Sequence, residues 1–165
     1  MPLLEDGALR PDPWVSVDDE AELPEGPVIL SLPRLLRDAA ELARRNAPIG
    51  LALPPETPAA EVAPLLGMLS LVTLRLPKSK DGRAFTQGRA LREYHGFGGE
   101  IRATGHVIPD HYAMLLRCGV STVEVPEGTD PAVWDAARKV VDIGYQPALS
   151  EDEPLSLLRR RLRVA

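Results

Sequence analysis

Leu71-Val72-Thr73-Leu74-Arg75-Leu76 is a short β-rich run, and the loop Pro77 to Gly82 follows it directly. Beyond this loop, residues 85–94 predict a helix that ends before Gly96, a residue suited to the left-handed conformation found after helices. The same order recurs downstream, where residues 100–104 predict a strand and residues 109–118 a helix. A chain that alternates strands with helices builds a parallel sheet covered by helices. This part of the sequence therefore predicts an α/β fold.

The runs on either side agree with this prediction. Residues 14–17 are extended, and strands are predicted over residues 28–32, 49–53 and 121–125. Helices are predicted over residues 33–46, from Thr57-Pro58 onward, and from Asp130 to about Asp142. We expect a mainly parallel sheet of five to six strands with βα repeats. Because this is too few for a full eight-stranded barrel, the sheet is either open or a partial, TIM-like barrel.

The chain has the size and composition of one globular domain, predicted over residues 1–165. Residues 1–27 form an acidic extended N-terminal segment, and residues 154–165 predict a basic C-terminal helix. The sequence has neither the features of a secretory signal nor an apolar run long enough to span a bilayer, so we expect a cytoplasmic protein. A single cysteine, Cys118, excludes an intramolecular disulfide and a multi-cysteine metal or iron–sulfur site within one chain.

Charge differs between regions of the chain. The formal net charge is -5, which argues against nucleic-acid binding. Residues 78–117 nevertheless contain seven basic and four acidic side chains, so this window is locally positive. We expect the working surface to be built from the stretch between Lys78 and Asp110.

Loops that follow parallel strands meet at one edge of the sheet, where helix N-termini point inward. Residues 77–83, 104–110 and 126–128 are three such loops. Cations beside a helix N-terminus favour an anion such as phosphate, sulfate or a carboxylate. The candidate anion-binding residues are Lys78, Lys80, Asp81, Arg83, Arg102, His106 and Asp110. The alternative is that the lysines form a solvated turn and that Asp81-Gly82 is a turn or cap.

Arg102 lies in the middle of a predicted strand and requires a partner. Its partner is Glu100 or Asp81 in a structural ion pair, or else a ligand. The three histidines fall within residues 95–111, and His106 lies where a general base or ligand would stand. Their spacing does not support a metal site, which favours surface or hydrogen-bonded roles. Cys118 is expected to be buried packing.

Sequence motifs for cofactors are absent. No glycine-rich dinucleotide loop follows a strand, and neither a Walker-type loop nor a nucleophile elbow is present. No cofactor is therefore evident from the sequence.

Several motifs carry a family resemblance that spans most of the chain. They are Asp12-Pro13-Trp14-Val15, Leu76-Pro77-Lys78, Lys80-Asp81-Gly82-Arg83-Ala84-Phe85-Thr86, Leu91-Arg92-Glu93, Gly99-Glu100-Ile101-Arg102-Ala103-Thr104-Gly105, Asp110 and Arg117-Cys118-Gly119. The chain resembles the bacterial domain-of-unknown-function family labelled as an oxidoreductase involved in sulfite reduction, a label that comes from gene context. It departs from that family at Thr86, Gly88 and His111, where serine, alanine and glutamine are expected.

The resemblance implies a place in assimilatory sulfate reduction, but no established activity. Two hypotheses follow. In the first, the protein is an accessory module that binds a sulfur oxyanion, or docks on sulfite reductase or another enzyme of sulfate assimilation, through a positive loop rim. In the second, it is a small oxidoreductase that uses a diffusible flavin or nicotinamide. Self-association into a homodimer is a further expectation, and neither nucleic acid nor membrane is an expected partner.

Overall fold

The computed structural model describes residues 1–140, whose strands form one eight-stranded sheet. The strands are β1 (Leu3–Glu5), β2 (Ala8–Arg10), β3 (Val15–Ser16), β4 (Val28–Ser31), β5 (Ile49–Leu53), β6 (Leu71–Leu76), β7 (Glu100–Gly105) and β8 (Thr122–Glu124). Their order in the sheet is β2-β1-β8-β7-β6-β5-β4-β3.

Strands β3 to β8 are parallel, and each pairs with the next one along the chain. Strand β1 runs antiparallel to both β8 and β2. The predicted α/β fold with a mainly parallel sheet is therefore confirmed, and the strand count is higher than the predicted five to six.

The N-terminal hairpin accounts for two of the additional strands. Its turn is Asp6-Gly7, where φ is 48° and 79°. Two-residue hairpin turns of type I′ require positive φ at both positions, and Asp-Gly is a favoured pair for them. The sequence contains this turn signal, but strands of three residues are too short for alternation to predict them.

The helices lie between successive parallel strands from β4 to β8, except for the last one, which follows β8. They are α1 (Leu32–Arg37), α2 (Ala39–Leu42), α3 (Ala59–Val62), a 3₁₀ helix (Ala63–Met68), α4 (Arg83–Glu93), α5 (Pro109–Arg117) and α6 (Pro131–Lys139). The predicted N-cap Asp130 accepts a hydrogen bond from the backbone N–H of Ala132. Within residues 1–140, no helix has the length and apolarity needed to cross a membrane. The predicted helix over residues 154–165 lies outside the described residues.

The sequence predicts one helix over residues 33–46, whereas the structure has two short helices that meet at Asp38. The Asp38 carboxylate accepts hydrogen bonds from the side chains of Arg34 and Arg37. The same two arginines donate to backbone carbonyls of Asp18 and Asp19 in the N-terminal segment. These long-range contacts override the local helical pattern.

The two faces of the sheet differ in chemistry because alternate residues of a strand point to opposite sides. On β6, Val72, Leu74 and Leu76 are fully buried in the core that the helices cover. The intervening Thr73 and Arg75 face the other side, which is largely polar and lined by a groove. The apolar core and the groove therefore lie on opposite faces of the sheet.

A short connection forces the sheet to curl. Strands β2 and β3 form opposite edges of the sheet, yet only residues 11–14 join them. We call residues 11–14 the strap. A connection of this length spans at most about 19 Å, whereas a flat sheet of eight strands is roughly 34 Å wide. The sheet must therefore bend into a partial barrel, with the groove on its concave face and the strap passing over it.

Gly105, at the end of β7, illustrates how closely the strands approach. Its φ is +88°, and a Cβ there would lie 2.5 Å from the carbonyl oxygen of Leu76. We predict that Gly105→Ala lowers the free energy of unfolding by about 3 kcal/mol, through backbone strain and this clash, as measured by urea denaturation.

Gly98→Ala is the control, because Gly98 has negative φ and its Cβ would meet no atom within 4 Å. It should change stability by no more than about 0.5 kcal/mol. An equal decrease in the free energy of unfolding in the two variants would contradict the close contact between Gly105 and the carbonyl oxygen of Leu76.

Candidate functional site

A groove of about 710 Å³ occupies the concave face of the sheet. Its floor comes from strands β3 to β8, its mouth from the loops after β5 and β6, and one side from the strap. The lining residues are Asp12, Ser16, Ile29, Ala52, Leu53, Pro54, Pro55, Glu56, Thr73, Arg75, Pro77, Arg83, Arg102, Thr104 and Glu124. Parallel α/β sheets bind ligands near the carboxyl ends of their strands, which is where this groove opens.

Strand register brings the polar floor residues together. Thr73 of β6 pairs with Arg102 of β7, and Arg75 pairs with Thr104. Since paired residues share a face, these two arginines are diagonal neighbours on the floor, with a hydroxyl beside each. The floor thus offers two guanidinium groups and two hydroxyls to the groove.

Arg102 is the most deeply buried charged side chain among residues 1–140, at 1% exposure. Its Nε and Nη2 donate to Oε1 of Glu100 at 3.0 and 2.9 Å, and Nη1 donates to Oδ2 of Asp12 at 2.9 Å. The hydroxyl of Thr122 also donates to Oε1 of Glu100, at 2.5 Å. A buried guanidinium needs such compensation, because desolvation of an unpaired charge is costly.

This arrangement confirms the predicted Arg102–Glu100 ion pair, whereas the alternative pair of Arg102 with Asp81 is wrong. Asp81 lies beyond the end of β6 and binds Arg83 instead, with Nη2 to Oδ2 at 2.7 Å. The second partner of Arg102 is Asp12, which lies 90 positions away in sequence. A contact over that separation has no signal in local spacing.

Arg75 differs from Arg102 because its side chain is unpaired. It is exposed on the groove floor, and within residues 1–140 it forms no ion pair or side-chain hydrogen bond. An exposed guanidinium keeps all five donors available to a ligand. Arg75 is therefore the cation that the groove offers most directly.

Much of the positive charge at the start of α4 is offset by the neighbouring carboxylate of Asp81. Asp81 accepts hydrogen bonds from the side chain and the backbone N–H of Arg83, and these bonds lower the pKa of Asp81 to about 2. The same contact, with a smaller contribution from Glu56, raises the pKa of Arg83. Because Asp81 already occupies the first free N–H of α4, this helix terminus is a weaker anion site than the sequence predicts.

The predicted site residues separate into two groups. The loops after β6 and β7 do lie on the same edge, since the N–H of His106 donates to the carbonyl of Leu76 at 2.8 Å. Arg83 and Arg102 line the groove, but the other five candidates do not. Those five lie on the outer rim: Lys78, Lys80, Asp81, His106 and Asp110, of which Asp81 is partly buried and the others are exposed.

Sequence reasoning missed Asp12, Arg75 and Glu124 as groove residues. For Arg75 a signal was present, because polar residues at positions 73 and 75 alternate with apolar ones along β6. Such alternation indicates one open face, which a sheet covered by helices on both sides lacks. For Asp12 and Glu124, only the curl of the sheet brings the side chains to the groove.

Gln87 of α4 anchors the mouth of the groove. Its Nε2 donates to the carbonyls of Pro54 and Thr57, both at 2.8 Å, so that α4 holds the loop after β5. Gln87 is buried, and its Oε1 has no hydrogen-bond partner within residues 1–140. Gln87 thereby fixes Glu56 and the prolines of that loop relative to Arg83, one helical turn away.

The remaining reactive residue types do not form a second site in the described part of the chain. His111 packs edge-on against Phe85, with ring centroids 5.7 Å apart. Cys118 is buried, as expected, and burial raises the pKa of its thiol. Among residues 1–140, no group of three or more His, Cys, Asp or Glu side chains has metal-binding geometry.

Comparison with known proteins identifies one family. The family model described as "Bacterial protein of unknown function (DUF934)" matches residues 50–156, which is more than half of the chain. The match includes all but the first residue of β5, all of β6 to β8 and the three groove arginines, but neither the strap nor β1 to β4. No curated protein matches the chain.

Arg102 and Arg75 permit a matched test of this geometry. We predict that Arg102→Leu destabilises the protein by about 3 kcal/mol, because it leaves Glu100 and Asp12 without their shared counter-charge. Arg75→Leu removes no ion pair or side-chain hydrogen bond of the described residues and should change stability by less than about 1 kcal/mol. Chemical denaturation measures both values, and similar losses for the two variants would refute the distinction between a paired and a free arginine.

Proposed function

The chain belongs to this bacterial family of unknown function, and on that premise we propose that it is an accessory protein of assimilatory sulfate reduction that binds a sulfur oxyanion. The binding site in this proposal is the concave groove, with Arg75 as the primary ligand-binding residue. A cytoplasmic location and a partnership with sulfite reductase or another enzyme of sulfate assimilation are parts of the same proposal.

The observation that carries the proposal is the unpaired guanidinium of Arg75 on the groove floor. A free arginine in a concave site is suited to oxyanions, because its planar fork donates two parallel hydrogen bonds to two oxygens. The hydroxyl of Thr104, on the residue paired with Arg75, is an additional donor. Arg83 adds a positive charge at the mouth, although Asp81 offsets much of it.

Family resemblance supports the sulfur chemistry in this proposal. The motifs quoted above resemble proteins labelled for sulfite reduction, and sulfite and sulfate are small oxyanions that such a guanidinium binds well. The charge and shape of the groove suit a small oxyanion, and they do not distinguish a sulfur oxyanion from another one. The proposed role in sulfate assimilation therefore rests on the resemblance, whereas the proposed position of the binding site rests on the geometry.

A thermal-shift experiment tests the site. Sodium sulfate or sulfite at about ten times its dissociation constant should raise the melting temperature of the wild type by roughly 4 °C. Arg75→Ala should lose this increase, apart from the general stabilisation that sulfate gives to any protein. The double variant Lys78→Ala/Lys80→Ala should retain it, because these lysines lie on the rim and do not line the groove.

An equal increase in the wild type and Arg75→Ala would contradict the groove site. Loss of the increase in the lysine variant alone would relocate anion binding to the outer rim, where the sequence first placed it.

The size of the groove favours a second candidate function. A sulfur oxyanion fills only a small part of 710 Å³, whereas pockets for organic ligands and cofactors measure about 300–1,000 Å³. The volume is therefore compatible with a small oxidoreductase that uses a diffusible flavin or nicotinamide nucleotide.

Spectroscopy separates the two candidates. If the accessory function is right, purified protein should show no flavin or haem absorption band, and titration with flavin mononucleotide or a reduced nicotinamide should leave the cofactor's fluorescence unchanged. A bound chromophore, or saturable quenching that Arg75→Ala abolishes, would support the oxidoreductase instead.

A further inference from the structure

The strap contacts the groove floor through one carboxylate. Oδ2 of Asp12 lies 2.9 Å from Nη1 of Arg102, and the other oxygen, Oδ1, accepts a hydrogen bond from the backbone N–H of Trp14 at 3.0 Å. Within residues 1–140, Arg102 is the only residue outside the strap that hydrogen-bonds to Asp12. A single displaceable interaction therefore ties this side chain to the floor.

Arg102 does not need Asp12 to hold its position. Glu100 binds both Nε and Nη2, and Thr122 in turn fixes the same oxygen of Glu100. These contacts orient the guanidinium from one side and leave Nη1 directed at the carboxylate of the strap. A buried, pre-oriented guanidinium with one end presented to a groove is a built site for an oxyanion.

We propose that Nη1 of Arg102 is a second oxyanion-binding position, which Asp12 occupies in the free protein and which a bound oxyanion takes over as the strap is released. The inference rests on the proposed function, because it concerns the same groove and the same class of ligand. A carboxylate oxygen and an oxygen of sulfate or sulfite accept the same hydrogen bond, so exchange of one for the other preserves the pairing of Arg102.

The position of Arg75 supports this exchange. Arg75 and Arg102 are diagonal neighbours on adjacent parallel strands, and both line the groove. An oxyanion held by the free Arg75 therefore lies beside the Asp12–Arg102 pair, where its negative charge repels the carboxylate of Asp12. The bound oxyanion thus competes with Asp12 for Arg102, and its negative charge also weakens the contact between Asp12 and Arg102.

The strap then sets the apparent affinity of the groove. When Asp12 occupies Arg102 for most of the time, only the remaining fraction of molecules offers both arginines to a ligand, and the observed dissociation constant rises in proportion. The strap would act as an intramolecular competitor that keeps the groove closed to scarce or weakly bound anions.

Asp12→Asn tests the proposal with minimal change in shape. The amide still accepts the hydrogen bond from Trp14 but loses the charge that holds Arg102. We expect sodium sulfate, titrated at constant ionic strength, to bind this variant about tenfold more tightly than the wild type, as measured by calorimetry.

Glu124→Gln is the matched control, because it removes the same charge from the same groove at a residue that forms no ion pair with Arg102. If the gain in affinity comes from displacement of the strap, Glu124→Gln should produce a much smaller gain. If it comes only from the change in net charge, the two variants should bind sulfate equally.

Trp14 provides a direct readout of strap movement. The chain has two tryptophans, and Trp134 is buried against Tyr112, so a change in emission that Trp14→Phe abolishes reports on the strap. We expect sulfate to change this emission in the wild type. In Asp12→Asn, the emission should already resemble the sulfate-bound state before any sulfate is added.

The possible results separate the two proposals. Equal sulfate affinity in the wild type and Asp12→Asn, or equal gains in Asp12→Asn and Glu124→Gln, overturns the role of the strap and leaves the groove site standing. Sulfate binding in neither the wild type nor Asp12→Asn overturns the proposed function and the role of the strap together. Tighter binding in Asp12→Asn with an altered Trp14 emission supports both.

Discussion

The architecture depends on a length constraint: residues 11–14 must connect the two opposite edges of an eight-stranded sheet. A connection of four residues is too short to cross a flat sheet, so the sheet can form with this topology only if it curls. Curling converts one face into a concave surface that holds the groove. The groove, its polar floor and the position of the strap above that floor all follow from this constraint.

Once the sheet is curled, the chemistry of the groove follows from the two-residue period of its strands. The positions of β6 and β7 that face the helices are apolar and fully buried, whereas the alternate positions carry Thr73, Arg75, Arg102 and Thr104. Two arginines on neighbouring strands then acquire different roles. Arg102, near the middle of the floor, is desolvated and paired with two acidic side chains. Arg75, two register positions further along the strands, remains exposed and unpaired in the described chain.

Sequence reasoning placed the working surface on the rim, whereas the site that we propose lies in the groove. The rim prediction assumed that the turn from Lys78 to Arg83 would offer its positive charge to a ligand. Asp81 instead accepts hydrogen bonds from the backbone N–H and the side chain of Arg83, so the charges of these two residues largely offset each other. The prediction that the loops after β6 and β7 share one edge is confirmed, because it required only that both strands be parallel and adjacent.

The sequence by itself determined the α/β class and the parallel β6–β7 core, and it named Glu100 as one of the alternative partners of Arg102. Each of these depends on short-range patterns: the strand period, the order of strands and helices, and the proximity of residues two apart on one strand face. Only the tertiary structure decided the N-terminal hairpin, the Asp12–Arg102 contact and the free state of Arg75. The physical reason is that these features depend on which distant segments meet when the sheet curls, and no local pattern encodes a contact across 90 residues.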